Sequence, residues 1–180
     1  EKLATERGFL QDPALVWGWY EWRRYKVLQA QPNHAHQVIA KLADQYPKFT
    51  VVTQNVDDLH ERAGSQTVLH LHGSLHQGRC IRCYQSYQHT DNELIVELAE
   101  CKIEPPRCQH CGDLIRPSVV WFGEALPFDI LSQAEDEAAI CDVMLIIGTS
   151  ALVYPAANIP LIAMKYNATT CLLYTSDAAD

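Results

Sequence analysis

Phe49-Thr50-Val51-Val52-Thr53-Gln54-Asn55-Val56-Asp57-Asp58 begins as a β-branched run and ends as a polar cluster. A short apolar run of this composition predicts a buried strand. Val68 to Leu71 repeats the pattern and stops at His72-Gly73, and Val143 to Ile147 repeats it and stops at Gly148-Thr149-Ser150. Ser118 to Phe122 reads as a further strand. Helical stretches lie between them. Residues 12–30 have Asp12 as N-cap, Pro13 in the first turn and a stripe of Leu15, Val16, Trp19, Trp22 and Tyr25. A second helix, capped by Asn33, carries Ala35, Val38, Ile39, Leu42, Ala43 and Tyr46 and is stopped by Pro47. A helical turn closes at Gly64, and a further helix covers about 128–139. Strands alternating with helices predict an α/β fold on an open parallel sheet. Such sheets bind ligands beyond the carboxyl ends of their strands. The informative positions are then Gln54 to Asp57, His72-Gly73 and Gly148 to Ser150.

The 180 residues are 48% hydrophobic and 20% charged, enough for one core with a small satellite. The longest apolar run, Val143 to Ile147, is strand-sized, so no membrane span is expected, and the N-terminus shows no signal-peptide pattern. A net charge of −8 argues against a general nucleic-acid binder, which needs a basic stripe to displace counterions. A monomer in a reducing compartment is the expectation.

Seven cysteines include two C-x-x-C pairs, Cys80/Cys83 and Cys108/Cys111. Each pair can aim two thiolates at one tetrahedral ion, and together they complete a structural zinc site with no open position. Arg79, Arg82 and Arg107 flank the pairs and could favour thiolate. His76 and His110 read as exposed loop histidines, and residues near Asn92 to Glu100 as an inserted helix.

Thr53-Gln54-Asn55-Val56-Asp57-Asp58-Leu59-His60-Glu61-Arg62-Ala63-Gly64 resembles the sirtuin (Sir2) signature T-Q-N-I-D-x-L-H-x-x-A-G. His70-Leu71-His72-Gly73 resembles the sirtuin H-G, and the cysteine pairs follow where sirtuins carry a zinc ribbon. Arg116-Pro117-Ser118-Val119-Val120-Trp121-Phe122-Gly123-Glu124 resembles R-P-x-V-V-x-F-G-E. Gly148-Thr149-Ser150 with Val153-Tyr154-Pro155-Ala156 resembles G-T-S-x-x-V-x-P-A. The resemblance covers residues 53–157. It implies a Rossmann-like parallel sheet, here incomplete, with a small helical and zinc-ribbon module. The expected layout is a partial catalytic domain over 1–170, its helical part about 1–47 and its zinc-ribbon module about 74–118.

The resemblance also implies a reaction. NAD serves as co-substrate, and an acylated lysine of a protein or peptide is converted to free lysine, nicotinamide and 2'-O-acyl-ADP-ribose. His72 would be the general base, since imidazole titrates near neutral pH, and His70 a structural neighbour. Gln54, Asn55, Val56 and Asp57 would position the nicotinamide-ribose side. Gly148, Thr149 and Ser150 would approach ribose and phosphate. Val119, Phe122, Gly123 and Glu124 would line an added-strand site for the peptide. Tyr20-Glu21-Trp22-Arg23 resembles the Y-x-x-R of class III sirtuins, the desuccinylase and demalonylase type. Residues i and i+3 share a helix face. Tyr20 and Arg23 can therefore meet one carboxylate-ended acyl group, which acetyl does not offer.

The sequence also departs from the family. No G-x-G occurs among its eight glycines, so the pyrophosphate-binding turn is missing and poor NAD affinity is expected of this chain. Residues 171–180 read as a divergent tail, of adapter-like or out-of-frame character. Two alternatives stand beside the deacylase: a non-catalytic zinc-ribbon interaction module and a sirtuin-like ADP-ribosyltransferase. The compartment expected from thiols and family is the cytoplasm, or the mitochondrial matrix of a eukaryote.

Overall fold

The computed structural model describes residues 3–89, 102–150 and 152–173. The expected helix near 92–100 and the last residues of the expected tail, 174–180, lie outside the described residues. The chain forms two compact units, Glu1–Ala125 and Leu126–Asp180.

The first unit opens with α1 (Glu6–Gln11) and α2 (Pro13–Gln29), followed by α3 (His34–Ala43). Each start is capped by a side chain. Thr5 accepts from the Gly8 amide, Asp12 from Leu15 and Asn33 from His36, each at 3.1 Å. β1 (Val51–Thr53) pairs in parallel with β2 (Val68–His70), and the four-residue α4 (Leu59–Arg62) connects them. A second, antiparallel sheet has the order β4 (Ser86–Gln88), β3 (Gly73–Cys80), β5 (Ile115–Val119). A register shift between Ser74 and Gly78 bends β3 against β5.

α2 packs on this sheet through Val16, Trp17 and Tyr20, not through the expected Leu15, Trp19, Trp22 and Tyr25, which stay half-buried. Aromatic residues surround α2, so the apolar period does not single out one face. Val16 and Tyr20 join Phe9, Leu75, Val119 and Trp121 in one core cluster. Trp17 packs against Cys80, Cys108 and Ile115 in another. Arg62 donates to the carbonyls of Ala30 and Val27 at 2.9 Å each, satisfying the C-terminal end of α2 from α4.

Two boundaries differ from expectation. α3 ends at Ala43, leaving Tyr46 outside it and exposed. β5 starts at Ile115 and leaves the sheet after Val119, so Val120 to Phe122 is not strand. The charged Arg116 hides the early start, because a buried guanidinium is not expected in a strand until its partners, Glu124 and the Val119 carbonyl, are known.

In the second unit, α5 (Phe128–Ile140) precedes β6 (Val143–Ile147), α6 (Ile159–Lys165) and β7 (Thr169–Leu173). β6 and β7 pair in parallel from Val143↔Thr169 to Ile147↔Leu173, the product of a β-α-β crossover. β6 is not the fully buried strand expected. Met144 and Ile146 are half-covered, while Val143, Leu145 and Ile147 are exposed. No helix among the described residues is long and apolar enough to cross a membrane.

Candidate active site and zinc centre

The carboxyl end of β1 and the segment after β2 run side by side. Leu71 donates its amide to Thr53 O at 3.0 Å, continuing the β1–β2 ladder. His72 Nδ1 then meets the Gln54 carbonyl oxygen at 3.1 Å, and His70 Nδ1 meets the Asn55 carbonyl oxygen at 3.1 Å. The Leu75 amide donates to Val56 O at 2.8 Å. A carbonyl only accepts, so Nδ1 of His72 carries hydrogen, and in the neutral ring Nε2 then holds the lone pair. That is the tautomer a general base needs. His70 is held at its other nitrogen by Glu61 Oε1 at 2.6 Å, which fixes it as a brace between α4 and the strand tip.

The polar cluster after β1 is partly turn chemistry. Thr53 Oγ1 accepts from the Asn55 amide at 3.0 Å, and Asp57 Oδ1 accepts from the Leu59 amide at 3.1 Å. Asn55 is exposed, and Gln54, Val56 and Asp57 are half-buried. Gly148, Thr149 and Ser150 lie in the second unit at the carboxyl end of β6, where Gly148 has φ 61° and open space beside it.

Val119 pairs with Gly73 in the sheet. The amides beyond it are occupied. Val120 donates to His72 O at 2.9 Å, Trp121 to Glu124 Oε2 at 2.8 Å and Phe122 to Ala4 O at 3.0 Å. The Phe122 side chain is 70% exposed, and Gly123 is exposed beside it. Glu124 does not face outward as a substrate ligand would. It pairs with the buried Arg116 through both carboxylate oxygens. Burial pushes the Glu124 carboxyl up, but Arg116 and the Trp121 amide outweigh it and hold it below the usual range. Arg116 also donates to Val119 O at 2.8 Å and lies 3.4 Å from the Trp121 ring centroid. Arg116 has no expected role from the sequence, and Trp121 enters only as part of the expected strand Ser118 to Phe122. The one available signal was an arginine and a glutamate eight residues apart around an apolar strand.

Tyr20 is buried, and its hydroxyl accepts from Trp121 Nε1 at 2.9 Å. Burial pushes its phenol up from the ordinary value, against the Trp121 hydrogen bond and Arg23. Arg23 is half-buried, its guanidinium 4.9 Å from the Trp19 ring centroid and 5.8 Å from that of Tyr20. Among the described residues, no carboxylate pairs with it.

The four predicted sulfurs come together, all within 4.8 Å of one another. Cys80–Cys111, Cys83–Cys111 and Cys83–Cys108 lie 3.4, 3.5 and 3.6 Å apart. Four thiolates around zinc at about 2.3 Å stand about 3.8 Å apart, so this donor set fits a structural zinc ion with small adjustment. The two pairs sit on matching turns. Tyr84 donates to Cys80 O and Gly112 to Cys108 O, with φ 60° and 77° respectively. Burial resists ionisation of Cys80, but the amides of Cys83 and Arg82 and the neighbouring thiol of Cys111 bring it down from 9.0 to about 7. Help for the thiolate thus comes from backbone N–H groups rather than from the expected guanidinium groups. Arg107 is turned to the Gly112 carbonyl and Arg79 toward Glu124 and Tyr84. His76 lies on β3 beside Asp58 at 3.2 Å, half-buried rather than in an exposed loop, while His110 is exposed as expected.

Comparison with known proteins agrees with this geometry. The chain is 55% identical over 166 residues to NAD-dependent protein deacylase 1 of Pseudomonas aeruginosa, covering 92% of this chain and 66% of that protein. A solved complex of a Sir2 homologue with ADP-ribose superimposes with a TM-score of 0.84 at 48% identity, covering 95% of this chain and 66% of that one. A Sir2 homologue–NAD complex gives 0.83 at 47% identity, covering 97% and 65%. The chain therefore spans about two thirds of the length of these relatives, and its fold is their Rossmann-like α/β fold. The Sir2 family profile matches residues 1–155, and the chain belongs to the Sir2 family.

Proposed function

We propose that the protein to which this chain corresponds is an NAD-dependent protein-lysine deacylase that favours acyl groups ending in a carboxylate. The observation that carries the reading is the His72–Gln54 hydrogen bond, which leaves Nε2 of His72 as an acceptor beside the polar tip of β1. His72 takes the proton of a ribose hydroxyl. Asn55 and Asp57, with Gln54 and Val56 beside them, orient the nicotinamide-ribose end. Lysine acylated in a protein or peptide is the second substrate, held along Val119, Phe122 and Gly123. The products are free lysine, nicotinamide and 2'-O-acyl-ADP-ribose. Glu124 serves by holding this segment in place. The four cysteines hold zinc for the fold alone. The relative is bacterial, and the cytoplasm is the compartment proposed.

Acyl preference rests on Arg23, the half-buried and more accessible member of its pair, which has no carboxylate partner among the described residues. A bidentate guanidinium–carboxylate contact is worth about 1.5–3 kcal/mol. Arg23→Met in the full-length protein should therefore lower the succinyl-to-acetyl ratio of kcat/KM at least about tenfold. Equal loss for both acyl groups would remove the carboxylate role. Mass spectrometry of NAD incubated with succinyl-lysine peptide tests the reaction itself. Nicotinamide with acyl-ADP-ribose supports deacylation, whereas protein gaining ADP-ribose identifies a transferase.

A further inference from the structure

Among the described residues, the only hydrogen-bond partner of the Tyr20 hydroxyl is the indole N–H of Trp121, at 2.9 Å. An indole N–H can only donate. The phenol oxygen must accept on that side, and its own hydrogen is left for an acceptor. Trp121 cannot easily turn away, because three contacts hold it. Its ring lies against the Arg116 guanidinium, its backbone N–H is taken by Glu124 Oε2 at 2.8 Å, and Phe9 packs on it at 5.5 Å between centroids. Arg116 and Glu124 are bound to each other, so the assembly is closed on itself. A phenol is protonated at neutral pH, and burial pushes that of Tyr20 further up. Arg23, three residues along the same face of α2, has donors and no acceptor.

We propose that Trp121 is a specificity-positioning residue, fixing Tyr20 as a hydrogen-bond donor so that the Tyr20/Arg23 pair takes an acyl terminus with acceptors only. This rests on the Tyr20/Arg23 reading above and deepens it. A carboxylate satisfies two donor-only groups. The isosteric carboxamide brings an N–H₂ that has no acceptor there, and a site with mismatched buried polar groups rejects such an analogue. If the Tyr20 hydroxyl could rotate, it would turn its lone pairs to the amide and the discrimination would fade.

The test uses the full-length protein and three peptides carrying succinyl-lysine, its carboxamide analogue and acetyl-lysine. Trp121→Phe keeps an aromatic ring against Arg116 and removes the donor. Benzothienylalanine incorporated at position 121 keeps the bicyclic shape and also lacks the N–H, which separates loss of the hydrogen bond from loss of fold. Both changes should raise KM for the succinyl peptide about tenfold relative to acetyl, the value of one hydrogen bond of about 1.4 kcal/mol. Both should narrow the succinyl-to-carboxamide ratio by a similar factor, with kcat moving less. In a Tyr20→Phe background, Trp121→Phe should cause no further loss of selectivity. Independent, additive losses would overturn the proposal, as would a wild-type selectivity that survives both changes at Trp121. A wild-type enzyme with no preference for succinyl over acetyl would instead overturn the Tyr20/Arg23 reading, and this inference with it.

Discussion

A Cβ placed on Gly73 would stand 2.0 Å from the carbonyl oxygen of Ser118. Gly73 also has φ 78°, a conformation that L side chains adopt only with strain. The residue after His72 is therefore glycine because β3 starts there in close contact with β5. Gly73→Ala should lower stability by about 2–3 kcal/mol, by the usual cost of strain plus overlap. Thermal unfolding checks this, and an unchanged Tm would show that β5 can retreat.

His72→Ala in the full-length protein should reduce kcat by about two to four orders of magnitude, the usual contribution of a general base. Folding should be little affected, since the imidazole makes one hydrogen bond to a carbonyl. Single-turnover kinetics with circular dichroism as control would measure both.

Glu124→Gln should destabilise by about 3 kcal/mol, because it leaves the buried Arg116 without its counter-charge. The Glu124 carboxyl titrates lower when folded than when unfolded. Its contribution is therefore complete above the ordinary glutamate range and is lost as pH falls through the depressed value. Urea melts of wild type and variant at neutral and acidic pH should converge at the acidic end.

Zinc stoichiometry should be one ion per chain, and Cys108→Ser should lose it. Uptake by the metal-free protein should release protons, because Cys83 is pushed up to about 12 and must ionise to bind. Affinity should fall as pH drops through about 7, where Cys80 gains its proton. Isothermal titration in buffers of different ionisation enthalpy would detect the proton release.

Much of this was legible in the sequence, for reasons tied to particular residues. Val51 to Thr53 announces a strand because β-branched residues fit little else, and the cysteine pairs announce zinc because their spacing is set by coordination. The three side-by-side contacts of residues 54–56 with residues 70–75 follow once both strand tips are placed. β3 was not legible. Gly73 to Cys80 is polar, and its register shift breaks the alternation that would reveal a strand. The burial of Glu124 against Arg116 was hidden because a charged pair in a substrate-like segment reads as solvent-facing. The Tyr20–Trp121 bond joins residues 101 apart, and no local pattern encodes it.

One strand, β3, begins next to His72 and ends on Cys80. An agent that strips the metal would thus slacken the anchor of the imidazole without contacting His72 itself. Chelator inhibition should then be noncompetitive toward both NAD and peptide, with a time course set by ion dissociation rather than by ligand exchange.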